Sequence, residues 1–253
     1  MFKKGLNKLL VELTNISAFT ASAVRHVFKP PFETREFVRQ LFEVGYKSFS
    51  LISITAFIMG LVLTMQTRPV MAEFGAESWV PTMVFISIII EIGPVLTALL
   101  FAGKVGSRIG AELSSMRVTE QIDAMEVSGV YPMRYLVATR VLATTIMLPF
   151  LVFYADFLAL LGSYVGYTLH NTIGLSLFIR ESFDEVFFKD LIPATIKTFF
   201  FGFFIGILSC YTGYTTNKGA EGVGLATNSA VIRSSLSIFI LDLIAVQITE
   251  IVL

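Results

Sequence analysis

The chain has 253 residues, 55% of them hydrophobic and only 15% charged, with a mean hydropathy of +0.75. A soluble domain of this length carries far more charge, so the composition excludes an ordinary cytosolic enzyme and favours an integral membrane protein. Nineteen basic and nineteen acidic side chains cancel, so net charge says nothing about nucleic acid, and no nucleic-acid partner is expected; Cys210 alone excludes an internal disulfide, and two histidines (His26, His170) without a CxxC leave no metal or other cofactor to expect.

The N-terminal "MFKKGLNKLLVELTN" is basic but never reaches an uninterrupted apolar core. It reads as a retained segment, not a cleaved signal peptide. Residues 1–31 are taken as a cytoplasmic or interfacial segment and 32–253 as one polytopic domain. The stretch "ETREFVRQLFEVGYK" then places Phe37, Val38, Leu41, Phe42 and Val44 on one helical face. Arg35, Glu36, Arg39, Gln40, Glu43 and Lys47 fill the other. That division suits an amphipathic elbow helix lying in the membrane interface, with a helix against a soluble partner as the alternative.

Spanning a bilayer takes roughly 20 mostly apolar residues. Five windows qualify, at 48–67, 79–103, 141–169, 191–215 and 232–253. The expected fold is therefore all-α and integral to the membrane, and the third window is long enough to tilt. Basic residues set the orientation. With the N-terminus inside, Lys3, Lys4, Lys8, Arg25, Lys29, Arg35, Arg39, Lys47, Lys104, Arg108, Arg117, Arg134, Arg140, Lys218 and Arg233 are cytoplasmic. Only Arg68, Arg180 and Lys189 fall outside, where the loop "RESFDEVFFKD" is acidic. The N-terminus is expected in the cytoplasm and the C-terminus outside.

The second window contains "ISIIIEIGPVLTALLFAG", a glutamate and a Gly-Pro pair within an otherwise apolar run. Pro94 cannot donate to the carbonyl of Ile90, and Gly93 holds the backbone loosely, so a kink is expected there. In the adopted orientation Glu91 lies roughly 18 Å below the outer end of its span, Lys197 roughly 9 Å and Asp242 roughly 16 Å. The lysine stem can bridge that difference. A bare charge at such depth costs about 2.5–3.5 kcal/mol on insertion scales, which pairing offsets. Glu91, Lys197 and Asp242 are therefore expected to converge on a polar cavity between helices. A plain interhelical staple is the competing account. Leu61, Met65, Phe199 and Phe203 are candidate apolar neighbours, and Asp156 and Glu250 are either further members or interfacial.

Between the second and third windows, "GKVGSRIGAELSSMRVTEQIDAMEVSGVYPMRY" is too polar for the membrane but rich in helix formers. Ile109, Leu113 and Met116 form one stripe, and Val118, Ile122 and Met125 a second, rotated one. Two short helices, or one bent near Arg117–Thr119, account for this. Glu112, Glu120, Asp123 and Glu126 supply an acidic, solvent-accessible side, and Gly129 and Pro132 end the helix. The stripes are to be buried either by the chain's own helices or in a groove on an ATPase. "DAMEVSG" follows the acidic-Ala-x-x-x-x-Gly rhythm of the cytoplasmic loop in ABC importer permeases, although "IMLP" arrives several residues late. On this reading Glu112, Arg117, Glu120, Asp123, Glu126 and Gly129 form a coupling helix for a nucleotide-binding subunit. No G-x-x-x-x-G-K-S/T motif occurs in the chain, and Gly219, Gly222 and Gly224 read as a tight turn entering the last span. The chain itself is expected to be non-catalytic, with ATP hydrolysed elsewhere.

These residues carry a resemblance. "EIGPVLTALLFAGKVGSRIGAELSSMRVTEQIDAMEVSGVYP" is similar to the signature region of MlaE-type permeases, and "TGYTTNKGAEGVGLATNSAVIRSSLSIFILD" to a second block of that family. The likeness runs from about Phe32 to the C-terminus, so residues 32–253 would be an MlaE-type permease domain. It implies five spans behind an interfacial elbow helix and a homodimer. Two cytoplasmic ABC ATPase subunits and a periplasmic MCE-domain lipid-binding partner are also implied. The implied activity is phospholipid movement between the inner and outer membranes of a double-membraned bacterium, or in a chloroplast envelope. The expected residence is the bacterial inner membrane. One departure is visible: Ile90 stands where such proteins often place an arginine before the intramembrane glutamate. A proton-coupled carrier using Glu91 and a structural anchor are the rival readings; carriers usually show internal repeats and more spans.

Overall fold

The computed structural model describes residues 2–27, 33–169, 173–183, 188–216 and 219–252. Lys29 and Lys218 of the orientation count, His170, and Asp184 and Glu185 of the acidic loop lie outside the described residues. Among the described residues no strand occurs. Five helical stretches are long and apolar enough to cross a membrane: Thr34–Glu73, Glu77–Val118, Met133–Thr168, Lys189–Tyr214 and Ala220–Ile251. The fold is all-α with five candidate spans. Each stretch exceeds its hydropathy window because the helices continue into polar sequence. Gly222 and Gly224, expected in a turn, instead sit in the opening of the last helix, with the Gly222 amide donating to the Gly219 carbonyl.

The elements are α1 (Phe2–Val27), α2 (Thr34–Val44), α3 (Phe49–Glu73), α4 (Val80–Ser87), α5 (Gly93–Phe101), α6 (Ser107–Val118) and α7 (Gln121–Val127). They continue with α8 (Thr139–Thr168), α9 (Leu175–Phe183), α10 (Phe188–Tyr214) and α11 (Ala220–Val252). Wider π-turns occupy Ile88–Ile92, Ala102–Gly106 and Met133–Ala138. The chain divides into two compact units.

The first unit comprises Met1–Val44, Ala102–Thr145 and Gly202–Ser237. Its helices approach through small residues. A Cβ at Gly110 would sit 2.9 Å from that of Ala230, and one at Gly213 would sit 2.8 Å from the Gly110 carbonyl. Helix α1 packs against the Met133–Ala138 turn, with Ala23 fully buried and Phe19 edge-on to Tyr211 at 5.5 Å. Helix α2 turns Glu36 and Gln40 inward, Gln40 donating to Glu36 at 2.7 Å with both buried, while Val38 and Phe42 are exposed together with Arg35 and Arg39. Exposed apolar and buried hydrogen-bonded polar groups are the arrangement hydrocarbon favours and water does not.

Arg140, counted above among loop cations, lies within α8 and is 2% exposed. Its Nη2 is 3.0 Å from Glu112 Oε1 and its Nη1 donates to the Leu136 carbonyl at 2.9 Å. Arg140→Leu is expected to destabilise the protein by about 1–3 kcal/mol, since Glu112 is 44% exposed and regains water once unpaired. Thermal unfolding in detergent measures this. Adding Glu112→Leu should recover part of the loss, and a second loss of equal size instead would show that the pair is not coupled.

The second unit comprises Gly45–Phe101, Ile146–Phe201 and Ile238–Leu253. Its core joins Val80, Val84, Phe85 and Ile88 to Ala159, Leu160, Tyr167 and Phe178. Helix α3 buries Ile52, Ala56, Gly60 and Thr64, a row spaced by four, while Ile54, Ile58, Val62 and Met65 stay exposed. That row meets Ala159, Gly162, Ser163 and Gly166 of α8, and Thr64 and Ser163 share a hydrogen bond of 2.6 Å. Small residues that let backbones touch are the usual means of joining helices where lipid is as apolar as leucine.

Candidate functional site

All three predicted intramembrane charges meet in the second unit. Lys197 of α10 donates from Nζ to Glu91 Oε2 at 2.6 Å and to Asp242 Oδ1 of α11 at 2.9 Å. The lysine side chain is 6% exposed, Asp242 12% and Glu91 42%. Two of the three ammonium donors are thus spent on carboxylates. Lys197 is sealed between two acids, and Glu91 is the member that reaches the surface.

The backbone beneath Glu91 is unusual. Ile88–Ile92 forms a π-turn, closed by the Gly93 amide donating to the Ile88 carbonyl five residues back. Pro94 follows, without an N–H to give. The helix widens just before the Gly-Pro pair, a feature frequent at functional sites and itself a source of helix bends. A side chain at Gly93 would collide with Asp156 Oδ1 and come 2.7 Å from the Ile88 carbonyl. Asp156 does not join the ion pairs. It is buried, and its Oδ1 has no hydrogen-bond partner among the described residues. Glu250 is exposed.

Lys197 also lies at the edge of a groove of about 710 Å³ between α10 and α11. Ile192, Ile196, Phe200, Leu241, Ile244 and Ile248 supply most of its wall. Of the apolar neighbours expected from sequence, Phe199 does not line this groove, whereas Ile192, Ile196 and Phe200 of the same helix do; Leu61 and Met65 sit on α3 outside the groove lining. The arrangement is a long apolar wall that carries two lysines, Lys189 and Lys197.

The family profile described as Permease MlaE matches residues 37–248. The chain belongs to the MlaE permease family. The permease is 38% identical over 233 residues to a probable ABC transporter permease protein of Rickettsia felis, covering 92% of this chain and 90% of that one. To a probable ABC transporter permease protein of Synechocystis it is 35% identical over 227 residues, covering 89% and 86%. To the chloroplastic protein Trigalactosyldiacylglycerol 1 of Arabidopsis thaliana it is 30% identical over 230 residues, covering 91% and 66%. The permease is thus an ABC transporter permease and a multi-pass membrane protein.

In the first unit, the segment read as a coupling helix is two helices, α6 and α7. They are separated at Glu120, whose φ of 57° ends the first and caps the second. Ile109, Leu113 and Ile122 are fully buried. The chain's own helices therefore cover these three residues, while Met116, Val118 and Met125 of the same stripes are half-buried. The acids divide too. Glu112 is engaged by Arg140, Asp123 by Arg117, and Glu126 accepts from Tyr214 at 3.5 Å. Glu120 and Glu126 are exposed, beside Val127 at 91% exposure and Tyr131 at 64%. Gly129 takes φ of 77°, the left-handed conformation that glycine adopts most easily, and stops α7.

Proposed function

We infer that the permease moves phospholipid, with the headgroup held at Glu91, Lys197 and Asp242 and the acyl chains lying along the α10–α11 groove. The observation that carries this is Lys197 itself, which is bound to both acids and lines the apolar groove. An ion or sugar has no use for a long hydrocarbon wall, and a purely apolar ligand has none for the charges. The name of the Arabidopsis relative is that of a glycerolipid, which agrees.

ATP is hydrolysed on two separate ATPase chains, which engage the exposed Val127–Tyr131 surface through its acidic rim. Motion there opens or squeezes the groove. The apolar face of α11, with Phe239, Ile240 and Leu243 exposed, is covered by a second copy, and an MCE-domain protein receives or delivers the lipid. The permease sits in a bacterial inner membrane with its N-terminus cytoplasmic and C-terminus periplasmic, as the basic residues indicate.

Purified complex is expected to retain glycerophospholipid detectable by mass spectrometry. Glu91→Ala is expected to impair lipid transfer in proteoliposomes while the complex still assembles; transfer at the wild-type rate would end the headgroup assignment. For the coupling surface, Glu120→Lys with Glu126→Lys should reduce co-purifying ATPase several-fold. Full ATPase recovery with normal transport would remove that surface from the mechanism.

A further inference from the structure

We propose that Asp156 is a positioning residue for Glu91, holding the Ile88–Ile92 π-turn in the register that aims the Glu91 carboxylate at Lys197. The inference rests on the reading of that cluster as the transport site. Gly93 is pinned from two directions. Its amide donates to the Ile88 carbonyl, and its α-carbon faces Asp156 Oδ1 so closely that no side chain fits between them. Glycine α-hydrogens make weak contacts with oxygen of this kind. The carboxyl has little room to turn aside: the cavity it shares with Ile89, Pro94, Pro149, Thr195 and Thr198 is only about 10 Å³.

A buried oxygen left without a partner is costly and requires an account. Its place against Gly93 supplies one. A π-turn holds one residue more than an α-turn, so closing it would rotate one side of the helix against the other by roughly 100°. If Asp156 were shortened, the Gly93 amide could slip back to the Ile89 carbonyl, and Pro94, having no N–H, would lose nothing. Glu91 would then swing off Lys197. Pairing of the two therefore depends on a carboxyl that touches neither.

Two readouts test this in the assembled, reconstituted complex. Cys210 is the only cysteine and is buried, so a Cys210→Ser background lets an introduced thiol report alone. In Glu91→Cys, Asp156→Ala is expected to change the methanethiosulfonate labelling rate several-fold, while Leu96→Cys, beyond the turn, labels at an unchanged rate. Asp156→Asn, which keeps the shape, should preserve the wild-type rate. If the alanine variant does not fold, Asp156→Ser is equally too short to reach Gly93 and takes its place. An unchanged rate at position 91, or equal changes at 91 and 96, overturns the proposal. In transport, Asp156→Ala is expected to lose on the order of tenfold, a loss typical of removing a supporting partner. The loss should vanish once Glu91→Gln is present; the same loss in both backgrounds would make Asp156 mere packing. Labelling makes no reference to transport. Normal transport in Glu91→Ala undoes the proposed function, whereas unchanged labelling undoes only this inference.

Discussion

Lys197→Met is expected to abolish lipid transport and to destabilise the permease toward the lower end of about 3–5 kcal/mol, the range for removing one partner of a buried ion pair. Methionine matches the length of the lysine stem, so packing is little altered and the loss is electrostatic. It leaves Glu91 and Asp242 near each other with no cation between them. Asp242, at 12% exposure, has little water to recruit, while Glu91, at 42%, is partly screened, which keeps the figure low. Thermal unfolding in nanodiscs measures the stability and proteoliposome transfer the activity. The triple variant Glu91→Gln, Lys197→Met, Asp242→Asn removes all three charges. It should regain most of the stability and none of the transport, because an uncharged corner no longer grips a headgroup. Unchanged stability in Lys197→Met would mean the ion pairs contribute nothing, and transport by the triple variant would mean the cluster is only a staple.

Gly60→Val and Gly162→Val are expected to prevent recovery of folded protein. A Cβ at Gly60 falls on the Ala159 carbonyl, and one at Gly162 falls on the Phe57 carbonyl. Backbone atoms in two helices cannot yield as a flexible side chain does, so the cost should exceed the about 1–3 kcal/mol usual for overpacking. The pattern of effects is specific. Gly166→Ala meets the Leu61 carbonyl at 3.0 Å and should be milder, while Gly224→Ala has nothing within 4 Å and should be neutral. Yield and monodispersity on size-exclusion chromatography rank the four. Equal yields across the series would show that α3 and α8 are not in the contact described.

The charged cluster was legible because intramembrane charge is expensive and the orientation count gave each member a depth. Depth was enough to say that Glu91, Lys197 and Asp242 could meet. It was not enough to find the groove wall, which α10 and α11 supply while Leu61 and Met65 stand on α3. The two stripes of the acidic loop, Ile109, Leu113 and Met116 and then Val118, Ile122 and Met125, could equally have faced a partner or the chain itself, and nothing local distinguished the two. Asp156 was visible only as an isolated acid in an apolar window, because its neighbour is Gly93, more than sixty positions away.

Hydropathy and residue type alone settled the all-α class, the five spans and the absence of a phosphate-binding loop. Each of these depends on local composition and a fixed rise per residue. Tertiary structure alone decided that one lysine serves both acids, that Arg140 is interior, that α2 turns Glu36 and Gln40 inward, and that a π-turn sits under Glu91. These are matters of azimuth and of which helix comes to lie opposite, and one extra residue in a turn resets azimuth by roughly 100° without changing composition.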